Sequence, residues 1–236
     1  MSAIHSNQLK HTLQHIIKEQ AKLGECKELL LKYVDYQADK GFPFGEILIL
    51  HYQMFNGGET NEIYTVAAAI EMLILSFDIL DDFEDNDFHG KPWRGAADLN
   101  ATTALLFSSI DIIRKTSFKH KEKAISSLLD FSFRAINGQH LDLAKTSNTD
   151  SAYIEMTLKK SGSLVALASL IGTILAHSNC LEEVKKYSQY IGLIGQINND
   201  LIDVRIWPFN NDIVNKRYTL PIIYLLNCKN VHVNLM

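Results

Sequence analysis

Helix periodicity with very few interruptions is what most constrains this chain. Its 236 residues include four prolines (Pro43, Pro92, Pro208, Pro221) and 12 glycines, and none of them builds a Pro-, Gly- or Ser-rich linker. Between these breaks apolar residues return every three or four positions, as in Leu9, Leu13, Ile16 and Ile17, or Leu29, Leu30, Tyr33 and Val34, or Leu128, Leu129, Phe131, Phe133 and Ile136. That spacing paints one side of a helix, and the alternation and hairpin turns of strands are missing from the pattern. The sequence therefore predicts a single all-α domain over residues 1–236. Helices are expected near 7–24, 26–39, 43–56, 60–85, 98–115, 120–146, 150–178, 182–206 and 219–228. Ser6, Thr60 and Asp98 suit N-caps, and Gly41, Gly57-Gly58 and Gly90 suit stops.

With 47% hydrophobic and 21% charged residues the chain can build a core, which excludes a disordered or collagenous polymer. The balance of 23 basic and 27 acidic residues leaves −4, and only five of the basic residues are arginine, so a general nucleic-acid binder is excluded. Cys26, Cys180 and Cys228 are scattered without a C-x-x-C pair and read as buried thiols of a reducing compartment. No basic-then-apolar leader opens the chain. The most apolar run, Leu164 to Ala176, is broken by Gly172 and Thr173 and falls short of the ~20 residues that span a bilayer. A cytoplasmic protein is expected, with peripheral membrane contact left open.

The placement of acids is more telling. Glu71, Asp78, Asp81, Asp82, Glu84, Asp85 and Asp87 crowd into a helix that begins Val66-Ala-Ala-Ala-Ile70 and continues Met72-Leu-Ile-Leu75. Asp81 and Asp85 lie about 40° apart on one face, with Asp82 beside them. Carboxylates packed this closely at the end of a core helix repel one another and lose hydration, a cost that a divalent cation removes. A second acidic stripe, Gln196, Asn199, Asp200 and Asp203, lies in another apolar helix, and Gly138-Gln139 with Asp142 interrupts a third. Oxygen ligands without cysteine point to Mg²⁺, which keeps waters and substrate phosphates in its shell.

Asp81-Asp82-Phe-Glu-Asp85 resembles the first aspartate-rich motif, D-D-x-x-D, of the trans-isoprenyl diphosphate synthase (polyprenyl synthetase) family, and Gln196-Ile-Asn-Asn-Asp-Leu-Ile-Asp203 resembles the second. Gly138-Gln139 with Asp142, Lys160-Ser-Gly-Ser-Leu164, and Lys216-Arg217 with Thr219-Leu-Pro221 follow in the family's order, so the resemblance runs from about Gly57 to Leu226 and rests on five ordered matches. Within the family, Phe55-Asn-Gly-Gly-Glu59, Ile70-Glu-Met-Leu-Ile-Leu-Ser-Phe-Asp-Ile79 and Asp81-Asp-Phe-Glu-Asp-Asn-Asp87 are similar to the ComQ branch, which attaches a prenyl group to a tryptophan of a pheromone precursor in quorum sensing.

The resemblance implies a helical bundle around a central cavity, lacking the C-terminal helices that close it in other members, and a homodimer. It implies two or three Mg²⁺ ions held by Asp81, Asp82 and Asp85 and by Asn199, Asp200 and Asp203, gripping a geranyl or farnesyl diphosphate so that its C–O bond ionises. Asn199 stands where the family has an acid, which removes a charge from that ligand position. Lys160, Lys216 and Arg217 are expected on the diphosphate, together with Gln139, Asp142 and Gln196, while Arg94, in Trp93-Arg94-Gly95, stands for one of the family's paired arginines. Phe77, one turn before Asp81, is expected either at the floor of the prenyl tunnel or in plain core packing. The acceptor implied is a tryptophan of a precursor peptide. Chain elongation with isopentenyl diphosphate and a non-catalytic homologue are the alternatives left open.

Overall fold

The structure, a computed structural model, describes residues 2–58, 60–205 and 217–228, and among these there are ten α-helices and no strand. They are α1 (Ser2–Glu19), α2 (Cys26–Ala38), α3 (Pro43–Met54), α4 (Glu62–Asp85), α5 (Ala96–Lys115), α6 (Lys121–Leu143), α7 (Asp150–Lys159), α8 (Ser161–Leu175), α9 (Leu181–Arg205) and α10 (Leu220–Asn227), with one 3-10 turn at Ala21–Leu23. The all-α expectation holds. The chain packs as two compact units, Met1–Leu129 with Leu167–Lys185, and Asp130–Ala166 with Lys186–Met236, and the division falls inside α6, α8 and α9.

In the first unit α4 is the central helix, packed against α1, α3 and α5. Every residue from Val66 to Ser76 is buried, so the helix shows no solvent face over three turns, and its run of alanines lets neighbours approach closely. Each large apolar side chain buried here contributes about 1.5–3 kcal/mol. Enlarging one of the alanines would overpack the contact at about 1–3 kcal/mol. Residues 62–85, and the stretch 150–175 that runs through α7 and α8, are long and apolar enough to cross a bilayer, contrary to the reading of the sequence. In both, 72% of the apolar window is buried within the protein, as in a core helix.

Glu71 is the exception to the apolar character of α4. It is 2% exposed, and its Oε1 accepts the Gly45 backbone N–H at 2.5 Å in the first turn of α3. It caps that helix from outside, where the N–H groups have no partner in their own helix. Burial lifts its carboxyl to about 8, outweighing the pull of the Gly45 and Phe44 N–H groups, so the group is protonated at neutral pH.

The second unit has a small core of Tyr153, Met156, Leu193 and Ile223, flanked by Leu141, Leu158, Ile197 and Leu220. The single helix expected over 150–178 is two helices, because Lys160 departs to ψ −87° between α7 and α8. A tertiary contact explains the break: a Cβ on Gly138 of α6 would collide with the Lys159–Lys160 backbone. Gly192 of α9 similarly leaves room for Gly162 of α8, where an added Cβ would sit 2.7 Å from the Gly162 Cα.

Other local expectations shift. α1 begins before Ser6, and Asn61 rather than Thr60 precedes α4. Asp98 is the third residue of α5 and closes a capping box at Gly95. The left-handed turns after α3 and α4 are made by Asn56 (φ 60°) and Asn86 (φ 55°), ahead of the expected glycines. Cys180 and Cys228 are exposed and Cys26 half-buried, so the three thiols are not the buried set expected.

Candidate active site

The end of α4 carries the first acidic segment. Asp81, Asp82 and Asp85 are half-buried while Asp78 and Glu84 are exposed. Asn86 then closes the helix, and the Asp87 N–H donates to the Asp82 carbonyl at 2.9 Å. The carboxylates therefore stand at the negative end of a helix dipole, where a cation is favoured and an acid is not.

The acids of this motif divide into two roles. Asp81 and Asp85 share a face at i and i+4, and Asp82 is rotated about 100° from Asp81. Asp82 Oδ2 accepts the Trp93 indole N–H at 2.9 Å. Its Oδ1 accepts from Lys91, whose ammonium also donates to Asp87 Oδ2 at 2.8 Å. Trp93 is 1% exposed, with Tyr33 and Tyr36 edge-on at ring-centroid distances of 5.4 and 5.1 Å. Burial pushes the Asp82 carboxyl above its usual range, opposed by Lys91 and Trp93. Asp82, expected among the metal ligands, ties the α4–α5 loop to the helix end through these bonds. Arg94 is exposed, and its backbone N–H donates to Asp98 at 2.8 Å. Lys91, which the sequence pattern did not single out, reaches Asp82 and Asp87. Phe77 is half-buried one turn before Asp81.

The second acidic segment lies in the part of α9 that belongs to the second unit, and it repeats the division. Asn199 and Asp203, again at i and i+4, are exposed, whereas Asp200 between them is 2% exposed. Asp200 Oδ2 accepts the Tyr153 hydroxyl at 2.5 Å and Oδ1 accepts the Gln196 amide at 2.8 Å, while Gln196 Oε1 accepts the Ser161 hydroxyl at 2.8 Å. Burial pushes the Asp200 carboxyl up, with Tyr153 and Gln196 pulling it back and Asp203 and Asp142 adding to the rise. Desolvation and the neighbouring Asp200 raise the Tyr153 phenol as well, so it remains a donor. Asp200 and Gln196, expected on metal and substrate, are thus joined to each other and to Tyr153 and Ser161.

A cationic group stands in the same unit. Asp142 of α6 accepts from Lys160 Nζ at 2.8 Å, and Arg217 Nη1 lies 3.8 Å from the same carboxylate oxygen. Two cations stand beside one acid, and all three side chains are under 21% exposed. Gln139 is half-buried on α6 one turn before this group. The Gly138 contact sets Lys160 against α6. Lys216 lies outside the described residues.

Among the described residues no three His, Cys, Asp or Glu side chains converge on a protein-only metal cage. The pair Asp81 and Asp85 at a helix C-terminus still suits Mg²⁺, which takes one or two carboxylates and keeps waters and substrate phosphates. Asn199 and Asp203 offer one charge and one neutral oxygen. Asp82 and Asp200 each accept one hydrogen bond on either oxygen, which orients the two carboxylates.

Residues 27–235 match the family model for polyprenyl synthetase. The chain belongs to that family. It is 37% identical to the tryptophan prenyltransferase ComQ of Bacillus subtilis subsp. natto, over 94% of this chain and 70% of that protein. It is 28% identical to a short chain isoprenyl diphosphate synthase of Methanothermobacter thermautotrophicus, over 72% of this chain and 58% of that one. Among solved structures, the polyprenyl synthase of Caulobacter crescentus complexed with calcium and isoprenyl diphosphate is similar with a TM-score of 0.79 at 18% identity, over 96% and 72% of the two chains. The geranylgeranyl pyrophosphate synthetase of Geoglobus acetivorans matches with a TM-score of 0.76 at 21% identity, covering 96% and 79%. At those identities the structures speak to the fold, which is that of these synthases. The chain is a prenyltransferase.

Proposed function

We propose that this polyprenyl synthetase family member ionises a geranyl or farnesyl diphosphate with Mg²⁺ and transfers the prenyl group to the indole of a tryptophan in a precursor peptide; its relatives are named tryptophan prenyltransferases. The observation that carries the reading is the division of labour at the end of α4, where Asp81 and Asp85 share one face while Asp82 is turned to Lys91 and Trp93.

Mg²⁺ would supply charge that neutralises the leaving diphosphate, which lowers the barrier to C–O cleavage. Asp81 and Asp85 would hold it. Lys91 and Trp93 keep Asp82 from turning toward the same ion, and so fix the end of the helix on which the pair stands. Lys160 and Arg217, brought together at Asp142, suit a diphosphate oxygen as cationic donors. C–O cleavage leaves an allylic cation and diphosphate; attack by the indole forms the new bond, and one proton leaves the indole. A cytoplasmic location accords with this supply of substrates, and a homodimer is part of the same reading.

The likeness to the Methanothermobacter synthase favours a second reading, chain elongation with isopentenyl diphosphate. One experiment separates them. The purified chain is given farnesyl or geranyl diphosphate and Mg²⁺ with either isopentenyl diphosphate or a tryptophan-containing peptide, and products are read by mass spectrometry. The expected product is a peptide heavier by one prenyl group. Elongated diphosphate with unlabelled peptide overturns the peptide reading, and no metal-dependent diphosphate release with either acceptor overturns both.

A further inference from the structure

The segment between α4 and α5 runs into α5 through Lys91, Pro92, Trp93, Arg94 and Gly95, all within the first unit. Lys91 and the Trp93 indole are bonded to Asp82 at the end of α4, and the ring of Pro92 between them locks its φ. The Arg94 and Gly95 N–H groups both donate to Asp98 Oδ2, each at 2.8 Å. The backbone at Arg94 is therefore tied on one side to α4 and on the other to α5. Its side chain is exposed, and among the described residues it makes no ion pair. A guanidinium fixed at its root and unpaired at its tip, one residue after the tryptophan that is bonded to the first acidic segment, suits an oxygen of the diphosphate.

One phenol reaches both ends of this arrangement. Tyr33 of α2 is 0% exposed. Its hydroxyl donates to Asp98 Oδ1, and its ring stands edge-on to Trp93 with centroids 5.4 Å apart. Capping α5 does not call for the phenol, because Oδ2 already takes both N–H groups at the start of the helix. The bond to Oδ1 adds a fixed rotation of the carboxylate, and with it a fixed place for the two N–H groups gathered on Oδ2. A phenylalanine would fill the same space and leave that rotation free. Burial and the Asp98 carboxylate push the Tyr33 phenol well above its ordinary range, so it stays a donor. Against desolvation, the Arg94 N–H, Tyr33 and the Gly95 N–H keep the Asp98 carboxyl below its usual range, so the acceptor stays ionised.

We propose that Tyr33 is a positioning residue for prenyl transfer: through Asp98 and Trp93 it fixes the backbone from which Arg94 reaches the diphosphate. This rests on the diphosphate reading given above.

The test is a double-mutant cycle on the full chain with inorganic diphosphate and Mg²⁺ as the probe, read by calorimetry. No acceptor takes part, so the result is independent of whether a peptide or isopentenyl diphosphate is prenylated. Tyr33→Phe is expected to weaken diphosphate binding about fivefold to tenfold in the otherwise wild-type chain and less than about twofold beside Arg94→Ala, the non-additivity of residues that act as one unit. Tm should fall equally in the two backgrounds, because a purely structural role of the hydroxyl does not pass through the guanidinium. In turnover of farnesyl diphosphate, KM should rise severalfold while kcat stays within about twofold, as for a lost binding contact. Equal weakening in both backgrounds, no weakening in either, or a fall in kcat at unchanged KM overturns the positioning role and leaves the diphosphate site standing. A wild-type chain that binds no diphosphate overturns both.

Discussion

At the end of α4 the middle acid, Asp82, is held by an ammonium and an indole; in α9 the middle acid, Asp200, is held by a phenol and an amide. Both segments follow one geometrical rule. Positions i and i+4 share a face, position i+1 is turned about 100° away, and the i+1 acid becomes part of the packing. They differ in charge. Lys91 compensates Asp82 and Asp87, and the shared face of α4 keeps two carboxylates. In α9, among the described residues, Asp200 is held by Tyr153 and Gln196 rather than by a cation, and the corresponding face carries Asn199 and Asp203. Equal spacing thus gives unequal sites, and the α4 end is expected to dominate metal affinity.

The largest break in that comparison should come from Asp81→Ala or Asp85→Ala. Each is expected to lower Mg²⁺-dependent diphosphate release from farnesyl diphosphate by at least about a hundredfold, measured as released diphosphate, while Asn199→Ala costs about tenfold or less because no charge is lost. Equal effects from α4 and α9 would erase the asymmetry.

Next come the two struts. Lys91→Met and Tyr153→Phe each leave a desolvated carboxylate short of a donor, a loss of about 1–3 kcal/mol. Thermal denaturation should show a fall of about 2–4 °C per kcal/mol for a chain of this size. If either acid were a metal ligand instead, Tm would barely move and Mg²⁺ dependence would shift.

A smaller effect is expected from Asn199→Asp, which gives α9 the second carboxylate that α4 already has. The concentration of Mg²⁺ giving half-maximal activity should fall severalfold, on the scale of one partly solvated charge interaction of about 1 kcal/mol. An unchanged Mg²⁺ response would mean that Asn199 does not contribute to the ion.

A separate test concerns Glu71, upstream on α4. Its folded value of about 8 lies above the ordinary carboxylate value of 4.5, so the folded chain binds more protons than the unfolded one between these limits. Its contribution to stability is complete below pH 4.5 and is lost as pH rises through 8. Glu71→Gln should flatten the decline of Tm across that window; an unaltered pH profile would mean the group is ionised in the folded state.

Much of the fold was legible because it is written in local periodicity. The apolar run from Val66 to Leu75 and the few breakers place nine helical stretches close to where they lie. The division at Lys160 was not legible, because its cause is the backbone of α6 pressing at Gly138, a contact between residues 22 positions apart. In the site, the i and i+4 faces could be read from spacing alone. The fate of Asp82 and Asp200 could not, since it depends on Trp93, 11 positions on, and on Tyr153, 47 positions back. Aromatic side chains with a polar tip are read by sequence pattern as core, and here the tip is what matters. Arg94 was chosen over Lys91 by motif position, although the turn after Asn86 brings the lysine back to the helix it follows.

Gly138 also bears on how this protein can change. The absent side chain there sets where the Lys160 ammonium stands, because any Cβ would meet the Lys159–Lys160 backbone. Selection acting on substrate choice can therefore vary the side chains around Asp142 freely, yet it cannot move the lysine by small steps through residue 138. A saturation library at that codon should return glycine almost alone, whereas one at Gln139 should stay diverse, and the contrast would mark which of these neighbouring positions is frame and which is adjustable.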